Sequence, residues 1–112
     1  IAALSVSGLP TDKFFFLGYP PEKSSHRLKF FESLLNLHRC KLNTTYIIYC
    51  APHKLAQTLE DMKSVFEDIE IVVARELTKV HEEIWRGKIS GACDYYPQPK
   101  GEFVLLFNIP QA

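Results

Sequence analysis

Nothing in this 112-residue chain is long and apolar enough to span a membrane, which takes roughly 20 consecutive apolar residues. The N-terminus has no basic region ahead of its apolar residues, so no secretory signal pattern is read there. Charge of one sign is not in excess: 13 Lys and Arg balance 13 Asp and Glu. A bulk counterion-release attraction to nucleic acid is therefore missing, and any RNA contact must be local or supplied by another domain. Cysteine is scarce and odd in number, with Cys40, Cys50 and Cys93 far apart. That excludes a disulfide framework and points to a reducing cytoplasm. The sequon Asn43-Thr44-Thr45 matters only in a secreted protein. Neither a GxGxxG nor a P-loop is present, so the usual phosphate cradle is absent from this chain.

What is present reads as one α/β domain of ordinary composition, with a mixed sheet flanked by helices. Lys13 to Tyr19 is aromatic and aliphatic and predicts a strand, stopped by Gly18 and Pro20-Pro21. Ser24 or Ser25 caps a helix running to about His38, with Leu28, Phe31, Leu34, Leu35 and His38 on one stripe. Thr44 to Tyr49 predicts a strand, and Pro52 suits the first turn of a helix striped by Leu55, Leu59, Met62 and Phe66. Ile69 to Arg75 is the third strand, and Glu82 to Lys88 a short one ending at Gly87. Ile89 to Tyr96 follows as one or two helical turns. Pro97 to Gly101 is a loop and Glu102 to Asn108 a last strand. The closing strands are expected to add an antiparallel edge. Ile1 to Ser7 looks like the middle of a helix that began earlier, which implies a piece of a longer protein.

Arg75-Glu76-Leu77-Thr78-Lys79-Val80-His81-Glu82-Glu83 is the densest chemistry in the chain, with six ionisable side chains in nine positions. It leaves a buried strand, where α/β domains place ligands. A zinc reading of His81-Glu82-Glu83 needs a second His one helical turn on, and position 85 is Trp. Cys50 and His53 have neither a second ligand pair for a metal nor an orienting acid for nucleophilic catalysis. No metal is expected. Arg75, Lys79, Arg86, Lys54 and Lys100, with Tyr95 and Tyr96 as stacking partners, form a candidate local RNA surface. Glu76, Glu82 and Glu83 interleave with those bases, so a solvated mixed-charge face is the competing reading. Trp85 reads as packing.

The same segment resembles the RELTKxHEE signature of the ribosomal RNA small subunit methyltransferase I family, a branch of the tetrapyrrole methylase superfamily. Ala3 to Phe14 is similar to that family's ALxxSGLPTDRF, and Phe16 to Pro21 to its FxGFLP. Tyr49 to Lys54 stands where the family has YESPHR, Thr58 to Asp61 resembles TLEDL, and Gly101 to Leu105 resembles GEFVL. Order and spacing agree over essentially the whole chain.

The resemblance implies an S-adenosylmethionine-dependent methyltransferase of two α/β domains, of which this chain is the C-terminal one. It implies cofactor contacts through the backbone of Tyr49, Cys50 and Ala51 and of Glu76, Leu77 and Thr78. The implied reaction is methyl transfer to a cytidine ribose 2′-hydroxyl in small-subunit ribosomal RNA, within rRNA processing. Arg75, Lys79 and Lys54 are the RNA-binding candidates. His81, Glu82 and Glu83 are chemically able to act as base or orienter, with ion pairing to Arg75, Lys79 or Arg86 as the alternative for the glutamates. The implied partners are ribosomal RNA or the small subunit, the N-terminal domain, and a second copy in a homodimer. The location implied is cytoplasmic, with no membrane partner. The chain alone is expected to be inactive. Cys50, Ala51 and Lys54 depart from the Glu, Ser and Arg usual in the family, and Lys lacks the planar fork of Arg. The competing functions are a tetrapyrrole (corrin or porphyrin) methyltransferase and a non-catalytic binding or dimerisation module.

Overall fold

A computed structural model of the chain describes residues 8–9, 13–38, 44–78, 81–96 and 101–109, without the side chains of 38, 76–78 and 81–82. The expected helix at Ile1 to Ser7, Cys40, most of the Pro97 to Gly101 loop, and Lys79 lie outside the described residues.

The chain runs β1 (Phe14–Gly18), α1 (Ser24–His38), β2 (Thr45–Cys50), a 3-10 turn (Pro52–Lys54), α2 (Leu55–Phe66), β3 (Glu70–Thr78), β4 (His81–Lys88), α3 (Ile89–Tyr95) and β5 (Glu102–Phe107). One five-stranded sheet has the order β1-β2-β5-β3-β4. β1 is parallel to β2, and β5 is antiparallel to both β2 and β3. It follows that β1, β2 and β3 point the same way and end at the same edge of the sheet. The first residues of β4 and β5 lie at that edge too.

Strand alternation divides the core. Tyr46, Ile48, Cys50, Ile71, Val73, Phe103, Leu105 and Phe107 face the helices. Phe31 and Leu34 of α1, and the full predicted stripe Leu55, Leu59, Met62 and Phe66 of α2, close that layer. Each fully buried side chain of this kind contributes roughly 1.5–3 kcal/mol, so the α2 stripe alone fixes the helix to the sheet. Ile47, Val72, Ala74 and Leu106 form a second, smaller cluster on the opposite face.

Two expectations change. β4 is the antiparallel edge, but β5 is central, between β2 and β3. Its Phe103, Leu105 and Phe107 serve one core cluster while Val104 and Leu106 serve the other. A strand apolar on both faces belongs inside a sheet. β3 also continues past Arg75 to Thr78, and the chain turns back at His81. The charged segment is the arm of a β3–β4 hairpin rather than a connection following the strand. Arg75 opposite Glu83 is a favourable cross-strand pair that supports the extension. Among the described residues no helix is long and apolar enough to cross a membrane.

Candidate functional site

Two predicted cofactor stretches meet at one edge of the sheet. Cys50 and Arg75 both pair with Phe103 of β5, so they stand in one row with a single strand between them. Two strand spacings separate them, about 10 Å. Glu76 pairs with Glu102 on one side and Glu82 on the other, the next row outward. The backbone of Glu76 is thus level with Ala51, and Leu77 and Thr78 continue β3 beyond that row. The side chains of Glu76, Leu77, Thr78, His81 and Glu82 lie outside the described residues.

Tyr49 points away from the helices and stays 39% exposed. Its ring meets Phe16 edge-on at 4.9 Å and Tyr19 at 5.4 Å. Cys50 points the other way, into the core, at 2% exposure. Burial pushes its thiol up to about 11, so it is neutral at ordinary pH. His53 is exposed, so the environment of a Cys50–His53 nucleophile is missing. Only the backbone of Cys50 is available to a ligand. The carbonyl of Ala51 accepts from the Lys54 N–H at 3.0 Å, which ties the strand end to the 3-10 turn.

Glu83 is engaged on both carboxylate oxygens. Tyr96 donates its hydroxyl to Oε1 at 2.9 Å, and Arg75 Nη2 lies 3.9 Å from Oε2. Burial, and then the acceptor Glu83, hold the Tyr96 hydroxyl above its ordinary titration range. Arg75 Nε is buried with no hydrogen-bond partner. Ion pairing, the alternative weighed for Glu83, is thus present.

Arg27 was not among the residues singled out by sequence. It is 2% exposed, in the first turn of α1. Its Nε donates to Asp61 Oδ2 at 2.8 Å and Nη2 to Gln57 Oε1 at 3.3 Å. Its Nη1 donates to the carbonyls of Pro21 and Glu22 in the β1–α1 connection. Ser24 donates to the same Asp61 carboxylate at 3.1 Å. The signal was spacing: Arg27 extends the buried stripe of Phe31 and Leu34 by one turn.

Arg27 and the connection it holds form a wall of a cavity of about 300 Å³, lined also by Tyr19, Tyr49, Cys50, Ala51, His53 and Lys54. Arg75 and Glu83 do not line it. A larger cavity of about 590 Å³ lies at the opposite edge, among Glu67, Asp68, Glu70, Lys88 and Asn108. The α/β rule puts ligands at the carboxyl ends of parallel strands, which favours the smaller one.

No family model matches the chain. It is 43% identical over 109 residues to the ribosomal RNA small subunit methyltransferase I of a Synechocystis species, covering 95% of this chain and 37% of that protein. The protein of the same name from Rickettsia prowazekii is 39% identical, over 96% of this chain and 38% of its own length. That from Thermotoga maritima is 34% identical, over 96% and 46%. The chain belongs to this family.

It spans less than half the length of these relatives. Among solved structures, the cobalamin biosynthetic enzyme cobalt precorrin-4 methyltransferase aligns with a TM-score of 0.55 at 17% identity, over 94% of this chain and 46% of that one. At that identity the likeness speaks for the fold alone. The chain and part of that methyltransferase therefore share a fold.

Proposed function

We propose that the whole protein is an S-adenosylmethionine-dependent methyltransferase that modifies a cytidine ribose 2′-hydroxyl in small-subunit ribosomal RNA. The chain described is then its C-terminal domain. The observation that carries this reading is the shared row of Cys50 and Arg75, which brings the ends of β2 and β3 to one edge about 10 Å apart. An adenosyl group fits that span. The backbone of Tyr49, Cys50 and Ala51 would hold one side of it and that of Glu76, Leu77 and Thr78 the other. The bound cofactor supplies an electrophilic methyl group on a sulfonium sulfur.

The chain's own residues have to orient the hydroxyl and take its proton. A ribose hydroxyl is a weak nucleophile, so alignment and proton removal both matter. In the transfer a C–O bond forms, the C–S bond breaks, and the hydroxyl proton leaves to a base. His81 and Glu82, at the start of β4, are the proposed base candidates. Glu83, already bound to Tyr96 and near Arg75, suits an orienting role better. Arg75, Lys79 and Lys54 are proposed to meet the RNA backbone. Ribosomal RNA in the names of the 43% and 39% identical relatives supports RNA over a macrocycle as substrate.

The test is label transfer from methyl-labelled cofactor by the full-length protein, offered isolated small-subunit RNA, assembled small subunits, and a porphyrinoid. Transfer to the RNA or the subunit is expected. Transfer to the porphyrinoid alone contradicts the reading. The isolated domain is expected to bind cofactor weakly and transfer nothing, and tight binding in calorimetry would contradict that.

A further inference from the structure

We infer that the cavity between the β1–α1 and β2–α2 connections is a subsite for one unstacked base of the RNA substrate, an inference that rests on the RNA methyltransferase reading. Four observations lead there. Tyr19 and Tyr49 present rings that are 59% and 39% exposed beside an opening, with centroids 5.4 Å apart and planes at 56°. Exposed aromatic rings of this size on a folded surface are what single-stranded RNA bases stack on, in any sequence. The cavity's volume of about 300 Å³ is at the small end of the range for small-ligand sites, roughly 300–1,000 Å³. It suits one base rather than a whole cofactor.

Charge at the rim agrees. Lys54 and the exposed His53 line the β2–α2 side, where a phosphate of the same nucleotide would find a point charge. Glu22 is on the other rim, in the β1–α1 connection, and leaves the phosphate the Lys54 side. The wall is also rigid. Arg27 pins the carbonyls of Pro21 and Glu22 and is itself fixed by Asp61 and Gln57. A preformed wall lowers the ordering cost of binding.

The cavity adjoins the proposed adenosyl position, since Tyr49, Cys50 and Ala51 line it as well. The cofactor stretches face each other across β5, whereas the cavity opens on the β1 side of β2. A base held beside Tyr19 therefore puts its ribose toward the strand ends where the methyl group would be delivered.

Tyr19 tests this, because it is exposed and belongs to neither cofactor stretch. The full-length protein is titrated with a single-stranded oligoribonucleotide carrying 2-aminopurine, and separately with S-adenosylmethionine. Wild type is expected to quench the 2-aminopurine emission. Tyr19→Ala is expected to weaken oligoribonucleotide binding by about 5- to 100-fold, the worth of one stacked base. Tyr19→Phe, which keeps the ring and loses the hydroxyl that Glu102 accepts at 3.1 Å, is expected to bind like wild type. Cofactor affinity is expected to hold in both. Wild-type binding by Tyr19→Ala, an equal loss in Tyr19→Phe, or no quenching at all overturns the subsite. Lost cofactor affinity with intact RNA binding assigns the cavity to the cofactor and overturns it as well. Failure of the methyltransferase reading shows separately, as no transfer from labelled cofactor to small-subunit RNA by wild type.

Discussion

Arg27 Nε lies 2.8 Å from Asp61 Oδ2, a buried ion pair that joins the start of α1 to the middle of α2. The pair matters because Arg27 also carries two carbonyls of the β1–α1 connection. A buried charge that loses its partner is costly, typically by about 3–5 kcal/mol. Asp61→Ala is accordingly expected to lower the unfolding free energy of the domain by about 3 kcal/mol in urea titration. Combining it with Arg27→Met should cost less than the two single changes added together, since the second removes the orphaned charge. Strict additivity would show that the pair is not coupled.

Trp85 lies across Gly87 and Gly91. A Cβ at Gly87 would sit 2.7 Å from the indole, and one at Gly91 3.1 Å from it. Gly87→Ala forces the ring to move and is expected to cost about 1–3 kcal/mol, the usual toll of overpacking. Gly91 is within α3, where alanine gains about 1 kcal/mol of helix propensity over glycine. That gain offsets the milder contact, so Gly91→Ala is expected to be near neutral. Thermal unfolding of the two variants checks the order, and a Gly91→Ala loss exceeding that of Gly87→Ala would contradict it.

Much of this packing was legible in the chain. The α2 stripe of Leu55, Leu59, Met62 and Phe66 is buried as its spacing predicts, because a 3.6-residue period leaves a helix one apolar face. Glycine and proline marked the end of β1 and the start of the turn before α2 in the same local way. The central place of β5 was not legible, since strand order depends on pairing between distant segments. Arg27 was hidden by its own type: a basic residue is read as surface, and it takes Asp61, 34 residues away, with Gln57 and the carbonyls of Pro21 and Glu22, to make it a core residue. The hairpin of the charged segment was not legible, since it depends on pairing of Arg75 with Glu83 that single-strand periodicity does not reveal.

Cys50 makes the stability of the domain sensitive to alkali. Its thiol titrates at about 11 in the folded protein against an ordinary value of 9.0. The folded value is the raised one, so the stabilisation is complete below pH 9.0 and is lost as pH rises toward about 11. A gap of about two pH units corresponds to roughly 2–3 kcal/mol. Cys50→Ala is expected to flatten the stability curve in that window relative to wild type. The native thiol should also resist alkylation at neutral pH, since it is both buried and protonated. Rapid labelling of Cys50 in the folded protein would contradict its placement.

The most direct test of the central proposal is the identity of the methylated nucleoside. Small-subunit RNA methylated by the full-length protein with labelled cofactor is digested to nucleosides and read by mass spectrometry. The proposed function predicts label on the ribose of cytidine. Label on a nucleobase, or on no RNA nucleoside at all, would contradict it.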